Sequence, residues 1–191
     1  MDFRSPASIR VEGAWLVLQK KNGKTAPNGN GLRGRPVSLS KTEMVEVVLP
    51  QDANVLGNVL GGRVMHLVDI SAAVAALRHA RSHVVTASVD HVDFRNPIRV
   101  GELILLQSSV NRVFNTSLEV GVKVLSENPL TGERKHTTSA YVTFVSVDAE
   151  GRPHAAPPLI LETAEDRRRW RDAGVRRELR VAHEKRLSKK K

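Results

Sequence analysis

The chain of 191 residues has no cysteine. That removes disulfide frameworks, thiolate zinc sites and cysteine nucleophiles, and it suits a reducing compartment. Aromatic residues are scarce at 4%, so a core must rest on Val, Leu, Ile and Ala. No apolar run approaches the ~20 residues that a membrane-spanning helix needs. The opening "MDFRSPASIRVEGAWLVLQKK" holds an apolar patch at residues 14–18 but lacks the longer apolar stretch of a secretion signal. His79, His83, His91, His136 and His154 show no metal-ligand spacing. These absences predict a cytoplasmic protein with no membrane span, no bound metal and no cofactor.

Acidic residues are also in short supply, and the formal net charge is +10. The excess is uneven. Residues 1–40 carry 7 basic and 2 acidic residues, residues 41–160 carry 11 and 12, and residues 161–191 carry 12 and 6. A neutral middle with basic ends points to solvated tails that hold polyanions loosely, not to specific nucleic-acid recognition.

The segment 19–36, "QKKNGKTAPNGNGLRGRP", has almost nothing apolar to offset its ordering entropy. Residues 1–37 therefore read as a basic, irregular extension, with a chance for residues 9–18 to dock. Residues 38–50 alternate as a strand ending at Pro50. From residue 59 to 79, apolar residues recur at spacings of three and four, which predicts a mostly buried helix of about five turns. Period two follows in residues 84–94, 102–114, 116–127 and 135–148, joined by short links. This order predicts an α+β fold: one strand, one long helix, then an antiparallel meander of four long strands. The helix is apolar nearly all round, more than one sheet face requires, so a second subunit is expected to cover it. Residues 159–191 read as a basic surface helix, opened by a capping box of Thr163 and Asp166, with a thin stripe of Trp170, Val175, Leu179 and Ala182. A central domain over residues 38–158 follows.

The stretch "DANVLGNVLGGRVMHLVDISAA" begins at Asp52 and carries the chemistry. Asp69 projects from a largely apolar helix face, with Met65, His66, Ala72 and Ala73 as its neighbours three and four residues away. A buried carboxylate without a partner is costly, which makes it a functional candidate. Gly61 and Gly62 open the helix, either for close packing or to leave backbone N–H groups free for a developing oxyanion.

The spacing of Asp52, Asn54, Gly57, Gly61, Gly62, Met65 and Asp69 resembles the hotdog-fold acyl-CoA thioesterases, in their acyl-CoA hydrolase branch. The resemblance runs on through Thr86, Phe94, Pro97 and Gly101 and covers about residues 38–158. It implies a central helix wrapped by a five-stranded or larger antiparallel sheet, edge-to-edge dimers that can assemble into hexamers as trimers of dimers, and a site shared by two subunits. It implies hydrolysis of acyl-CoA to free acid and CoA. Asp69 would be general base or nucleophile, the Gly61 N–H would polarise the thioester carbonyl, Asn54 would orient water or the carbonyl, and Thr86 would position water. Asn58, Gly62, Arg95, Thr116 and Ser117 are further candidates for contact with substrate, as are Arg78 and Arg81 for CoA phosphates. A thioester is reactive enough for one base and one oxyanion hole to suffice, and no G-x-S-x-G elbow is present. Alternatives are a hotdog hydratase or dehydratase, a His66–Asp69 pair, and an acyl-CoA sensor with a basic DNA-binding arm.

Overall fold

A computed structural model describes residues 31–90 and 92–188, with the side chain at position 184 left aside. The expectations for residues 1–30, His91 and residues 189–191 lie outside the described residues. Among the described residues, regular structure starts earlier than composition predicts. A short strand β1 (Arg35–Pro36) and a 3-10 turn (Val37–Ser40) precede β2 (Thr42–Val47). Burial of Val37 and Ser40 explains the order, because the Ser40 hydroxyl donates to the Val37 carbonyl and accepts from the Val110 amide.

The long helix α1 (Gly61–Ala80) follows, then β3 (His83–Val89), β4 (Leu103–Val113), β5 (Ser117–Glu127) and β6 (Arg134–Val147). A second short strand, β7 (Leu159–Ile160), pairs in parallel with β1, and helix α2 (Ala164–Ser188) ends the described chain. The five long strands form one antiparallel sheet in the order β2-β4-β5-β6-β3, with α1 across one face: the hotdog fold. Val64, Leu67, Val68, Ala72, Ala75 and Ala76 of α1 interlock with Ile104, Leu106, Val120, Val122, Val142 and Phe144 of the sheet. Each fully buried Val or Leu contributes roughly 1.5–3 kcal/mol, and the alanines let helix and sheet approach closely.

Two sequence expectations need correction. The strand expected over residues 84–94 stops at Val89, and β3 does not continue the meander. Only β4, β5 and β6 form it, while β3 lies beyond β6 at the far edge. Residues 90–102 are the crossing that brings the chain back beside β2, so the link before β4 is no tight turn.

The second correction concerns α2. Its capping box is present: the Asp166 amide donates to Thr163 Oγ1, and the Thr163 amide donates to Asp166 Oδ2. Yet Val175 and Leu179 point to solvent, so that apolar stripe does not seat the helix. Arginines do. Arg112 of β4 lies 3.7 Å from the ring centre of Trp170, and Arg176 lies 3.6 Å from that of Tyr141. Arg176 also donates twice to Glu119 of β5, at 3.1 and 2.6 Å, and Asn111 Nδ2 adds a third hydrogen bond at 2.9 Å. Glu119 is buried, so it needs these donors. Arg176→Ala strands that carboxylate and is expected to lower unfolding free energy by about 2 kcal/mol, a discounted figure because Arg176 keeps some contact with water. Urea unfolding at neutral pH checks this, and a combined Glu119→Gln and Arg176→Met variant recovers most of the loss.

Candidate active site

The loop into α1 is built by the motif residues themselves. Asn54 folds residues 54–58 into a tight turn. Its side-chain Oδ1 accepts from the amides of Leu56 (2.9 Å) and Asn58 (3.2 Å), while its backbone carbonyl accepts from Gly57. Gly57 sits at φ +73, where a side chain would be strained. The Asp52 carbonyl takes the Leu60 amide, and the Asp52 carboxylate pairs with Arg63 at 3.2 Å, tying the loop to the first turn of the helix. On the other side the loop bonds residues 98–100: Val59 donates to the Ile98 carbonyl and Val100 donates to that of Gly57.

Helix α1 begins without a side-chain cap at Leu60. The Arg63 and Val64 amides share the Leu60 carbonyl, and the Gly61 and Gly62 amides have no acceptor among the described residues. Close packing does not explain the glycine pair. A Cβ at Gly62 would meet nothing within 4 Å, and one at Gly61 would make only ordinary contact with the Phe94 ring, 3.6 Å away. Two unobstructed N–H groups at a positive helix end form an anion-holding surface. The Phe94 ring, about half exposed beside Gly61, is a part of this surface to which sequence reasoning gave no role.

Two turns on, Asp69 is half-buried, not buried as its neighbours in sequence predict. The sheet covers one side of α1 and leaves the other open, with Ile70 and Leu77 exposed along it. Thr86 of β3 donates through Oγ1 to Asp69 Oδ1 at 2.9 Å. This hydrogen bond holds the carboxylate against β3. No hydrogen bond joins His66 to Asp69 among the described residues, and His66 is exposed.

The remaining candidates divide by location. Asn58 is half-buried and its backbone pairs with Asn54 and Arg99, so it belongs to the loop. Arg95 is exposed, with its amide bonded to the Thr137 carbonyl. Arg78 is engaged with the Lys41 carbonyl and Thr42 Oγ1, while Arg81 forms the left-handed cap of α1. Thr116 and Ser117 are not brought to Asp69. Ser117 is buried and pairs with Val145, whereas Thr86 pairs with Phe144 on the α1 side. His79 is buried and bonds the Pro157 carbonyl through Nε2, and burial holds its imidazole below the usual range. It locks the end of α1 to the chain leading into β7.

A polar groove of about 670 Å³ lies on the other face of the sheet beneath α2, lined by Gln107, Lys123, Tyr141 and Arg168 among others. It contains none of the motif residues. Among the described residues no helix is long and apolar enough to cross a membrane, and no cluster of three His, Cys, Asp or Glu could hold a metal ion.

The thioesterase superfamily profile matches residues 56–133. An acyl-CoA thioester hydrolase of Bacillus subtilis is 39% identical over 127 residues, which span 66% of this chain and 74% of that protein. A hexameric acyl-CoA thioesterase of known structure is 41% identical, with a TM-score of 0.77 over 80% of this chain and 97% of that one. The acyl-CoA hydrolase of Staphylococcus aureus, solved with butyryl-CoA and CoA, is 32% identical, with a TM-score of 0.76 over 81% of this chain and 94% of that one. That enzyme has also been solved with an asparagine, an aspartate and a threonine each replaced by alanine. This chain belongs to the thioesterase superfamily, among the hotdog-fold acyl-CoA hydrolases.

Proposed function

We propose that the chain hydrolyses acyl-CoA thioesters at a site shared by two copies, with Asp69 as the base or nucleophile. The observation that carries this is the pairing of Asp69 with Thr86 on the open side of a helix whose first amides are free. The three positions substituted in the Staphylococcus aureus enzyme stand fifteen and seventeen residues apart, as Asn54, Asp69 and Thr86 do here.

Distance supports the second copy. Gly61 and Asp69 are eight residues apart, or about 12 Å along the helix axis. A water held by a base must lie within about 3–3.5 Å of the carbon it attacks, and the oxyanion donors must touch the oxygen on that same carbon. One helix cannot serve one thioester with both ends. A two-fold pair can, because each site then takes Gly61 and Asn54 from one copy and Asp69 with Thr86 from the other. The open edge of β3 and the exposed Ile70 and Leu77 are suited to that contact. The exposed Arg95 would be available to the CoA phosphates in such a site, and Thr116 and Ser117 would reach CoA only from a neighbouring copy.

Mixing the variants tests this. Asn54→Ala and Asp69→Asn are each expected to retain at most about a hundredth of wild-type turnover alone. Unfolded together and refolded, they are expected to recover about a quarter of wild-type turnover, since half the dimers are mixed and each carries one intact site. If both residues served from one copy, the mixture would stay inactive.

A further inference from the structure

We infer that Val89 is the side chain that reads acyl-chain length, and that a one-residue bulge at Ala87 places it there; this rests on the thioesterase reading. In β3, Val84 and Thr86 lie on the side facing α1, opposite Ser146 and Phe144. Thr86 is followed by an irregularity: Ser88 pairs with Thr143 and Val89 with Val142, so Ala87 is the extra residue. Directly opposed residues share a face. Val142 and Phe144 both belong to the core beneath α1, so Val89 faces the Asp69 side and Ser88 faces away.

Regular alternation would have turned Ser88 and Asp90 toward Asp69 and set a second carboxylate beside the first. Two negative charges there would repel each other and the CoA phosphates. The bulge turns Asp90 to the other face, where its Oδ1 accepts from Arg180 Nη1 at 2.5 Å and its amide donates to the Tyr141 carbonyl. Helix α2 thereby holds β3 in its bulged register.

The surface left beside Thr86 is apolar in both directions along the strand. Val84 is closed off by packing against the core, whereas Val89 is 39% exposed. Val68, Ala72 and Ala76 of α1 are sealed in the core. An acyl chain leaving the thioester beside Thr86 therefore has an open path toward Val89. That side chain lies about 7 Å along the strand, two residues of β6 further on, a length that roughly six acyl carbons span.

Hydrolysis of acetyl-CoA and decanoyl-CoA by the full chain tests the assignment. Val89→Phe is expected to lower the decanoyl-to-acetyl ratio of kcat/KM by about tenfold or more. Val89→Ala is expected to leave acetyl-CoA unchanged and to move the decanoyl rate. Val85→Phe, on the opposite face of the same strand and similarly exposed, leaves the ratio unmoved. Equal effects of the Val89 variants on both substrates, no effect, or the same ratio change in Val85→Phe would overturn the assignment of Val89. Failure of the wild-type chain to hydrolyse either ester would instead overturn the thioesterase reading.

Discussion

Asp69→Asn is expected to cut kcat for acyl-CoA hydrolysis by about a thousandfold while leaving the melting temperature and the oligomer unchanged. Thr86 Oγ1 donates to Asp69 Oδ1, and an asparagine of the same shape can accept that hydrogen bond through its own side-chain carbonyl. The half-buried position exacts little for losing the charge, because the open side of α1 keeps the group in touch with water in the isolated chain. What asparagine cannot do is take a proton from water or attack a thioester. A positioned base contributes about a hundred- to ten-thousandfold, and β3 itself (His83–Val89) carries no carboxylate that could take over. Steady-state assay on several acyl-CoAs, with calorimetry and sizing of the variant, checks both halves. Undiminished turnover would remove Asp69 from the chemistry.

The sequence showed α1 clearly, because its apolar residues keep a period near 3.6 over twenty positions and the core uses them. It showed β4, β5 and β6 within a residue or two, because a sheet with one face against a helix needs alternation along the whole strand. It misled at β3 for a physical reason. Alternation through residues 84–94 looked continuous, but the extra residue at Ala87 reversed the faces and ended the strand at Val89. No local pattern reveals which register wins when the deciding contact, Arg180 to Asp90, comes from ninety residues away. Helix α2 hid its mode of packing for the same reason. Stacked arginines over Phe114, Tyr141 and Trp170 read as solvated charge until their partners on the sheet are known.

The motif residues differ in how much spacing could tell. Gly57 stood in the sequence only as a motif position, and its positive φ is what the turn at residues 54–58 requires. Gly61 and Gly62 left two readings open; a Cβ would meet nothing at Gly62 and only ordinary contact with Phe94 at Gly61, so packing within the chain does not require the pair. That is compatible with the proposed role of their amides toward a group approaching the helix end from outside. The same logic applies to Asp69, whose apolar neighbours in sequence suggested burial that a single chain does not supply. The second copy that we propose would cover the surplus apolar surface on α1 and complete the site.

Asn54→Asp separates support from chemistry. The Asn54 side-chain oxygen already accepts two loop amides, so both of its lone pairs are engaged within the loop. Its Nδ2 is the group left to act, and it can only donate. That fits a donor to the thioester carbonyl beside the free Gly61 amide. Aspartate preserves both loop hydrogen bonds, and an anionic acceptor strengthens them. It also replaces the donor with a negative oxygen facing a developing oxyanion. The expected result is a fall in kcat of about a hundred- to a thousandfold with an unchanged melting temperature. Asn54→Ala loses the same catalysis and in addition about 1 kcal/mol of stability, since two loop amides lose their acceptor. If Asn54→Asp remained active while Asn54→Ala did not, Asn54 would be only a brace for the loop, and the oxyanion would rest on the helix amides alone.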